Sequence, residues 1–244
     1  MNKTPKLKIV ADLHAHTISS GHGYSTVTEY AREAKKVGLS MIGITDHGPA
    51  MPGAPYRYHF TAMWVIPSVI EGIRVLSGIE ANIINAAGGL DLADEYLKKL
   101  DVVIASFHNQ LGFDGGTREE NTETLLKVMR NPYVDFIGHP ENPAFPVDIQ
   151  RVVAAAKAHK KIIEINNGSF IGNRTGSLKP CLEFIRACRR QKAPIIVNSD
   201  SHICYQIGRV DTALDLLTKE KFPADLIVNT AAGKVEQVIL GCRR

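Results

Sequence analysis

Two histidines close the first apolar run of the chain: in "KIVADLHAHTISSGH", His14 and His16 follow Ile9, Val10 and Leu13. Side chains two apart on a strand share a face. These imidazoles could therefore be a solvated pair, a hydrogen-bonded pair or two ligands of one metal, and the spacing alone does not choose. The other histidines carry the argument further. His22 lies in the following loop, His47 ends "GITDHGP", Glu80 ends "SGIEANI", His108 ends "ASFHNQ", His139 ends "IGHPEN", and Asp200 and His202 end "VNSDSH". Of nine histidines only His59 and His159 stand outside this set. His159 falls in the last turn of a helical segment, where a surface cation is expected.

The segments that must position these groups alternate in type. "LKIVADL", "SMIGIT", "IRVLSGIE", "DVVIASF", "VDFIGH", "KKIIEIN" and "APIIVNS" are short, apolar and rich in Val and Ile, as strands buried on both faces are. Between them lie helical segments. "STVTEYAREAKKVG" opens on Ser or Thr and stops at Gly38, and "PVDIQRVVAAAKAHK" sets Ile149, Val152, Val153 and Ala156 on one stripe. "SLKPCLEFIRACRRQK" and "VDTALDLLTKE" repeat the pattern. Consecutive βα units predict a parallel sheet. No glycine-rich phosphate loop follows the first strand, which argues against an open nucleotide-binding sheet. A closed barrel would gather all the strand ends, and so all nine polar groups, at one mouth.

The 244 residues suit one domain, 1–244, with an ordinary 44 % hydrophobic and 22 % charged composition. The net charge of +4, spread over short clusters such as "RRQK" and the terminal arginine pair, does not mark a nucleic-acid surface. No apolar run reaches the ~18 residues of a membrane span. Asp12 and His14 interrupt the run that follows Lys3, Lys6 and Lys8, so a signal peptide is not expected. Cys181, Cys188, Cys204 and Cys242 form no CxxC pair, and Cys181 and Cys188 fall seven apart on a helix, where core packing is expected. A reduced, cytoplasmic protein follows.

Imidazole and carboxylate together suit zinc, manganese or iron, and the absence of thiolate argues against a structural zinc site. One ion takes about four to six ligands, so nine donors suggest three ions with a shared carboxylate. Three divalent ions against two carboxylates leave a local charge of roughly +4. An anionic substrate is expected, with phosphate the natural candidate.

In order, "DLHAHT", "ITDHGP", "GIEAN", "FH", "GHP" and "SDSH" resemble the PHP superfamily (polymerase and histidinol phosphatase) over nearly the whole chain. "YSTVTEYA", "ITDHGPAM", "GIEANI", "EINNGSF" and "SDSH" are similar to its small stand-alone branch, the YcdX-like bacterial phosphatases. The resemblance implies an α/β fold, a distorted seven-stranded (β/α)7 TIM-like barrel with a trinuclear metal centre at the C-terminal ends of the strands. It implies a first ion on His14, His16, Glu80 and Asp200, a second on Glu80, His108 and His139, and a third on His22, His47 and His202. Zinc is the first choice, with manganese or iron compatible.

The implied reaction is hydrolysis of phosphate monoesters by a metal-bound hydroxide attacking phosphorus in line, with no catalytic side chain beyond it. A small phosphorylated substrate would find candidate contacts in Arg174, in the loop after the sixth strand, and in Arg57 and His59, in a long loop after the second. Asn166, at the end of the sixth strand, could orient substrate or a ligand, or simply serve a turn. Cys204, just after the last ligand, could alter metal preference or oxidise.

The same centre could instead serve a phosphodiesterase, nuclease or oligonucleotide phosphatase, although no basic, aromatic-lined strand channel is visible. An amidohydrolase-type barrel also opens with His-x-His, but "SFHNQ" offers no bridging lysine and His22, His47 and Glu80 would go unused. A non-enzymatic scaffold should have lost ligands, and none is missing.

Overall fold

In a computed structural model, residues 7–111, 113–172 and 174–241 are described; Lys3, Lys6, Cys242 and the terminal arginine pair lie outside them. Among the described residues eight strands form: β1 (Ala11–Asp12), β2 (Met41–Ile44), β3 (Val69–Ile70), β4 (Ile73–Asn82), β5 (Val102–Ser106), β6 (Phe136–Ile137), β7 (Ile162–Asn166) and β8 (Ile195–Asn198). All but β3 run parallel in the order β1-β2-β4-β5-β6-β7-β8, so the seven strands expected from sequence make a nearly closed barrel. The added β3 pairs antiparallel with β4 through a tight turn at Glu71 and Gly72, both at positive φ (53° and 83°). Such two-residue turns match the strand twist. Its two residues are too short to show a period-two pattern.

The helices are α1 (Val27–Val37), α2 (Tyr58–Ala62), α3 (Asp94–Leu97), α4 (Arg118–Val128), α5 (Ile149–Ala158), α6 (Leu178–Gln191), α7 (Asp211–Lys219) and α8 (Ala232–Val235). Their ends are written in the sequence. Thr26 caps α1 and Thr117 caps α4, each in a reciprocal box with the glutamate three residues on, and Gly38 ends α1 at φ 81°. Val152, Val153 and Ala156 of α5 are buried on the stripe read from sequence, as are Cys181 and Cys188 of α6; these cysteines and Cys204 are free thiols.

The seam between β1 and β8 carries no ladder. It is closed by one parallel bridge, Ala15 to Ser201, and by two buried asparagines. Asn198 Oδ1 accepts from Leu13 N–H at 2.9 Å, and Asn229 links the Ala11 carbonyl to the Val197 N–H at 2.8 and 3.1 Å. This closure brings the end of β1 beside the end of β8, which no local feature of the sequence specifies.

Candidate metal centre

Glu80, two residues before the end of β4, occupies the middle of the mouth and is fully buried. Its Oε1 lies 2.8 Å from His139 Nε2 and 3.4 Å from both His14 Nε2 and His108 Nε2. Its Oε2 lies 2.8 Å from His47 Nδ1 and 3.4 Å from His16 Nε2. On the far side of the histidine pair, Asp200 Oδ1 stands 3.5 Å from His14 Nε2 and 3.2 Å from His16 Nε2. His22 and His202 form the outer layer. The His22 and His47 Nε2 atoms are 3.3 Å apart, and the His202 ring stacks on those of His16 and His22 at 4.4 and 4.8 Å. All nine residues singled out in the sequence therefore meet at one place, from fully buried His14 to exposed His22.

Three tight groups stand out among the described residues: His14, His16 and Asp200; His47, Glu80 and His108; and His16, His47 and His202. His47 turns one nitrogen to Glu80 and the other to His22, and so stands between the inner and outer layers. Such a set fits divalent cations. His14 Nε2, His16 Nε2, His47 Nδ1, His108 Nε2 and Glu80 Oε2 are buried without a hydrogen-bond partner. Orphaned buried donors and acceptors are costly and rare; five of them facing one another is what shared ions would relieve.

The electrostatics point the same way. Burial alone would push Glu80 and Asp200 upward, but facing imidazoles, and Arg174 at Asp200, hold both well below the usual carboxylate range. Burial, reinforced by His47 and His202, drives His16 well below its usual value, and burial also lowers His108 and His139. Neutral imidazoles offer the lone pair that a metal requires. His14 departs from this pattern: burial opposes its protonation, yet Glu164, Asp200 and Glu80 together raise it well above the usual value.

Two candidate ligands carry unusual backbone. His139 and Asp200 sit at φ 29° and 55°, conformations that cost an ordinary residue on the order of 1–3 kcal/mol. Gly138 precedes His139 because a Cβ there would fall 2.2 Å from Ser106 Oγ. At the rim, a Cβ on Gly21 (φ 79°) would meet the Gly53 carbonyl oxygen at 2.5 Å, so this glycine lets the loop after β2 pack against the turn that carries His22.

Several supporting residues escaped the sequence reading. Ser20 Oγ lies 3.3 Å from His16 Nδ1 and donates to Asp46 Oδ1 at 2.7 Å, while Asp46 also accepts from the Thr17 N–H at 2.7 Å. Asn82 Oδ1 sits 2.7 Å from His108 Nδ1. Glu164 contacts His14, and buried Glu141 lies near Arg174. One signal was present: in "KKIIEIN" an acidic residue stands among three isoleucines of a strand buried on both faces, with no solvent to face.

The other candidates separate clearly. Arg174 lines a cavity of ≈ 320 Å³ at the mouth together with His22, His108, Asp200 and His202. Its guanidinium donates to Asp200 Oδ2 at 2.9 Å. Asn166 is buried, accepting from the Ser169 N–H in a turn at 3.2 Å and donating to Asp200 Oδ2 at 3.2 Å. His59, on α2, reaches Asp46 Oδ2 at 3.2 Å from outside the cavity. Arg57 is exposed and lies 5.3 Å from the rings of both Tyr56 and Tyr58. Cys204 is buried, its N–H on Ser25 Oγ at 3.0 Å.

Comparison with known proteins gives this geometry a setting. A probable phosphatase of Acetivibrio thermocellus is 52 % identical over 96 % of this chain and 96 % of its own length. A probable phosphatase of Caldanaerobacter subterraneus subsp. tengcongensis is 48 % identical over 96 % and 92 %. Among solved structures, the histidinol phosphate phosphatase of Lactococcus lactis subsp. lactis, complexed with zinc, L-histidinol and phosphate, superposes with a TM-score of 0.62 at 18 % identity, over 87 % of this chain and 94 % of that one. At that identity the likeness speaks to the fold. Residues 12–173 match the PHP domain, and with that match and these relatives the chain belongs to the PHP domain family.

Proposed function

We propose that the chain, acting as one domain, is a metal-dependent phosphatase that hydrolyses phosphate monoesters at a centre of three divalent ions, zinc foremost. The observation that carries this is Glu80. Each of its two oxygens faces a different set of imidazoles, and its own Oε2 and four imidazole nitrogens around it are buried without a partner. The site residues are His14, His16 and Asp200 with Glu80; His108 and His139 with Glu80; and His22, His47 and His202 on the outer side. Divalent ions there supply Lewis acidity toward phosphoryl oxygens and lower the pKa of water.

The chain's own residues provide the rest. Depressed His16, His108 and His139 stay neutral, the form of imidazole that ligates a metal. Ser20 and Asn82 hold the rings of His16 and His108 in one orientation. Arg174 reaches into the cavity beside Asp200, where a guanidinium can take two phosphoryl oxygens at once. The phosphatase names of the relatives, and the zinc and phosphate bound by the Lactococcus structure, support the same chemistry. No helix of the described residues is long and apolar enough to cross a membrane, and the described cysteines are free, in keeping with the reducing cytoplasm where we place the protein.

The test is phosphate release from a panel of phosphomonoesters by zinc-reconstituted protein, beside the same protein after chelation. Release that disappears on chelation is expected. No release from any monoester by protein shown to hold zinc would overturn the monoester assignment, and oligonucleotides would be the next substrates assayed.

A further inference from the structure

β7 is the one parallel strand that brings no candidate ligand to the mouth. It carries Glu164 instead, fully buried, two residues before the strand ends. Four donors converge on this carboxylate. His14 Nδ1 and Asn198 Nδ2 each lie 2.8 Å from Oε1. The His139 N–H and Asn166 Nδ2 lie 2.8 and 2.9 Å from Oε2. A carboxylate offers about four lone-pair sites, so Glu164 is saturated and has none left for an ion.

Each of its partners leads to the metal centre. Accepting from His14 Nδ1–H leaves Nε2 as the ring atom aimed between Glu80 and Asp200, at 3.4 and 3.5 Å. The bond to the His139 N–H anchors a residue whose backbone is left-handed, at φ 29°. Asn166 passes on to Asp200 Oδ2 at 3.2 Å, and Asn198 Oδ1 accepts from the Leu13 N–H at 2.9 Å, just before His14. Three ligands from three different strands are thus tied to one carboxylate.

We infer that Glu164 is a positioning residue: its carboxylate fixes the ring of His14, the backbone of His139 and, through Asn166, the carboxylate of Asp200 in the arrangement that holds metal. This rests on the metal-centre function proposed above. Glutamine cannot replace it. Glutamine exchanges one acceptor oxygen for an amide NH2, so two of the four donors would face another donor. Outer partners of this kind typically govern roughly 10–100-fold in metal affinity.

Two measurements test the role. In wild-type protein with ¹⁵N-labelled histidine, long-range nitrogen–proton correlation reads the His14 ring. Its Nδ1 is expected to carry a proton both with and without zinc, and a bare Nδ1 would overturn the inference. Zinc affinity, measured by competition with a chromogenic chelator, is expected to fall roughly 10- to 100-fold for at least one ion in Glu164→Gln. A merely structural residue would lower the thermal midpoint of the metal-free variant while leaving the affinity of its folded fraction unchanged, and that result also overturns the role. Should Glu164→Gln fail to fold, the wild-type Nδ1 measurement decides alone. Wild-type protein that takes up no zinc would instead overturn the proposed function, and the positioning role with it.

Discussion

The two ends of the barrel are built from the same faces of the same strands and could hardly differ more. Where the strands begin, Met41, Leu76, Phe136, Ile162 and Ile196 pack into an apolar interior together with Val235 and Ile239. Two to four residues further along those faces stand Glu80, Glu164, Asn166 and Asn198, all buried, among imidazoles whose nitrogens lack partners. The lower end gains stability from burying apolar surface, about 25 cal/mol per Å². The upper end gathers groups that cost stability when metal-free and adds left-handed backbone at His139 and Asp200. One barrel can carry both because residues two and four apart on a strand share a face, so one strand can present an apolar side chain in one layer of the interior and a polar one in the next.

The sharpest way to break this contrast is Glu80→Gln. Removing the shared carboxylate should lower phosphate release by roughly 10³-fold or more, while the metal-free variant keeps its folded circular-dichroism spectrum. Loss of folding instead would mean that Glu80 supports the fold and not the chemistry.

Met41→Ala probes the opposite end. A buried Met41 truncated in a packed layer should cost about 2–5 kcal/mol in denaturant unfolding. Phosphate release per folded molecule should stay within about threefold, since Met41 opens β2 while His47 follows its far end; a much larger loss of activity would show that the two ends are coupled.

Glu141→Gln sharpens the contrast at the upper end. Burial pushes the Glu141 carboxyl from its ordinary 4.5 up to about 7. In the metal-free protein the folded state therefore holds a proton that the unfolded chain has already released between these values, and stability falls as pH rises through that window. Glutamine has no proton to lose. The variant should gain up to about 3 kcal/mol over wild type above pH 7, and nothing below pH 4.5, in unfolding measured across that range. A pH-independent difference would mean that Glu141 does not titrate in this window.

The smallest effect belongs to the loop after β2. Arg57 is exposed and lies against Tyr56 and Tyr58, outside the cavity, so Arg57→Ala should change kcat/KM by no more than about twofold. A tenfold loss would bring this loop into substrate binding and enlarge the site beyond the strand ends.

Much of the architecture was legible in advance. Short Val- and Ile-rich runs, capped helices and the recurrence of His, Glu or Asp at strand ends specify a parallel barrel and the mouth where polar groups meet, because burial on both faces and the helix-capping requirement are read locally. The hairpin strand β3 was not, since two residues carry no period.

By itself the sequence determined which residue types stand at the strand ends, and thereby the kind of chemistry at the mouth. The tertiary structure decided how they group. It set Glu80 between two sets of imidazoles, turned His47 to face both Glu80 and His22, drew Arg174 onto Asp200, and closed the seam so that β1 and β8 share the site. It alone showed that Glu164, on the strand with no candidate ligand, is tied to candidate ligands from three other strands. The reason is physical. Strand periodicity fixes the face on which a side chain projects, whereas distances of 2.8 Å between residues 150 positions apart depend on barrel closure and register, which no local pattern encodes.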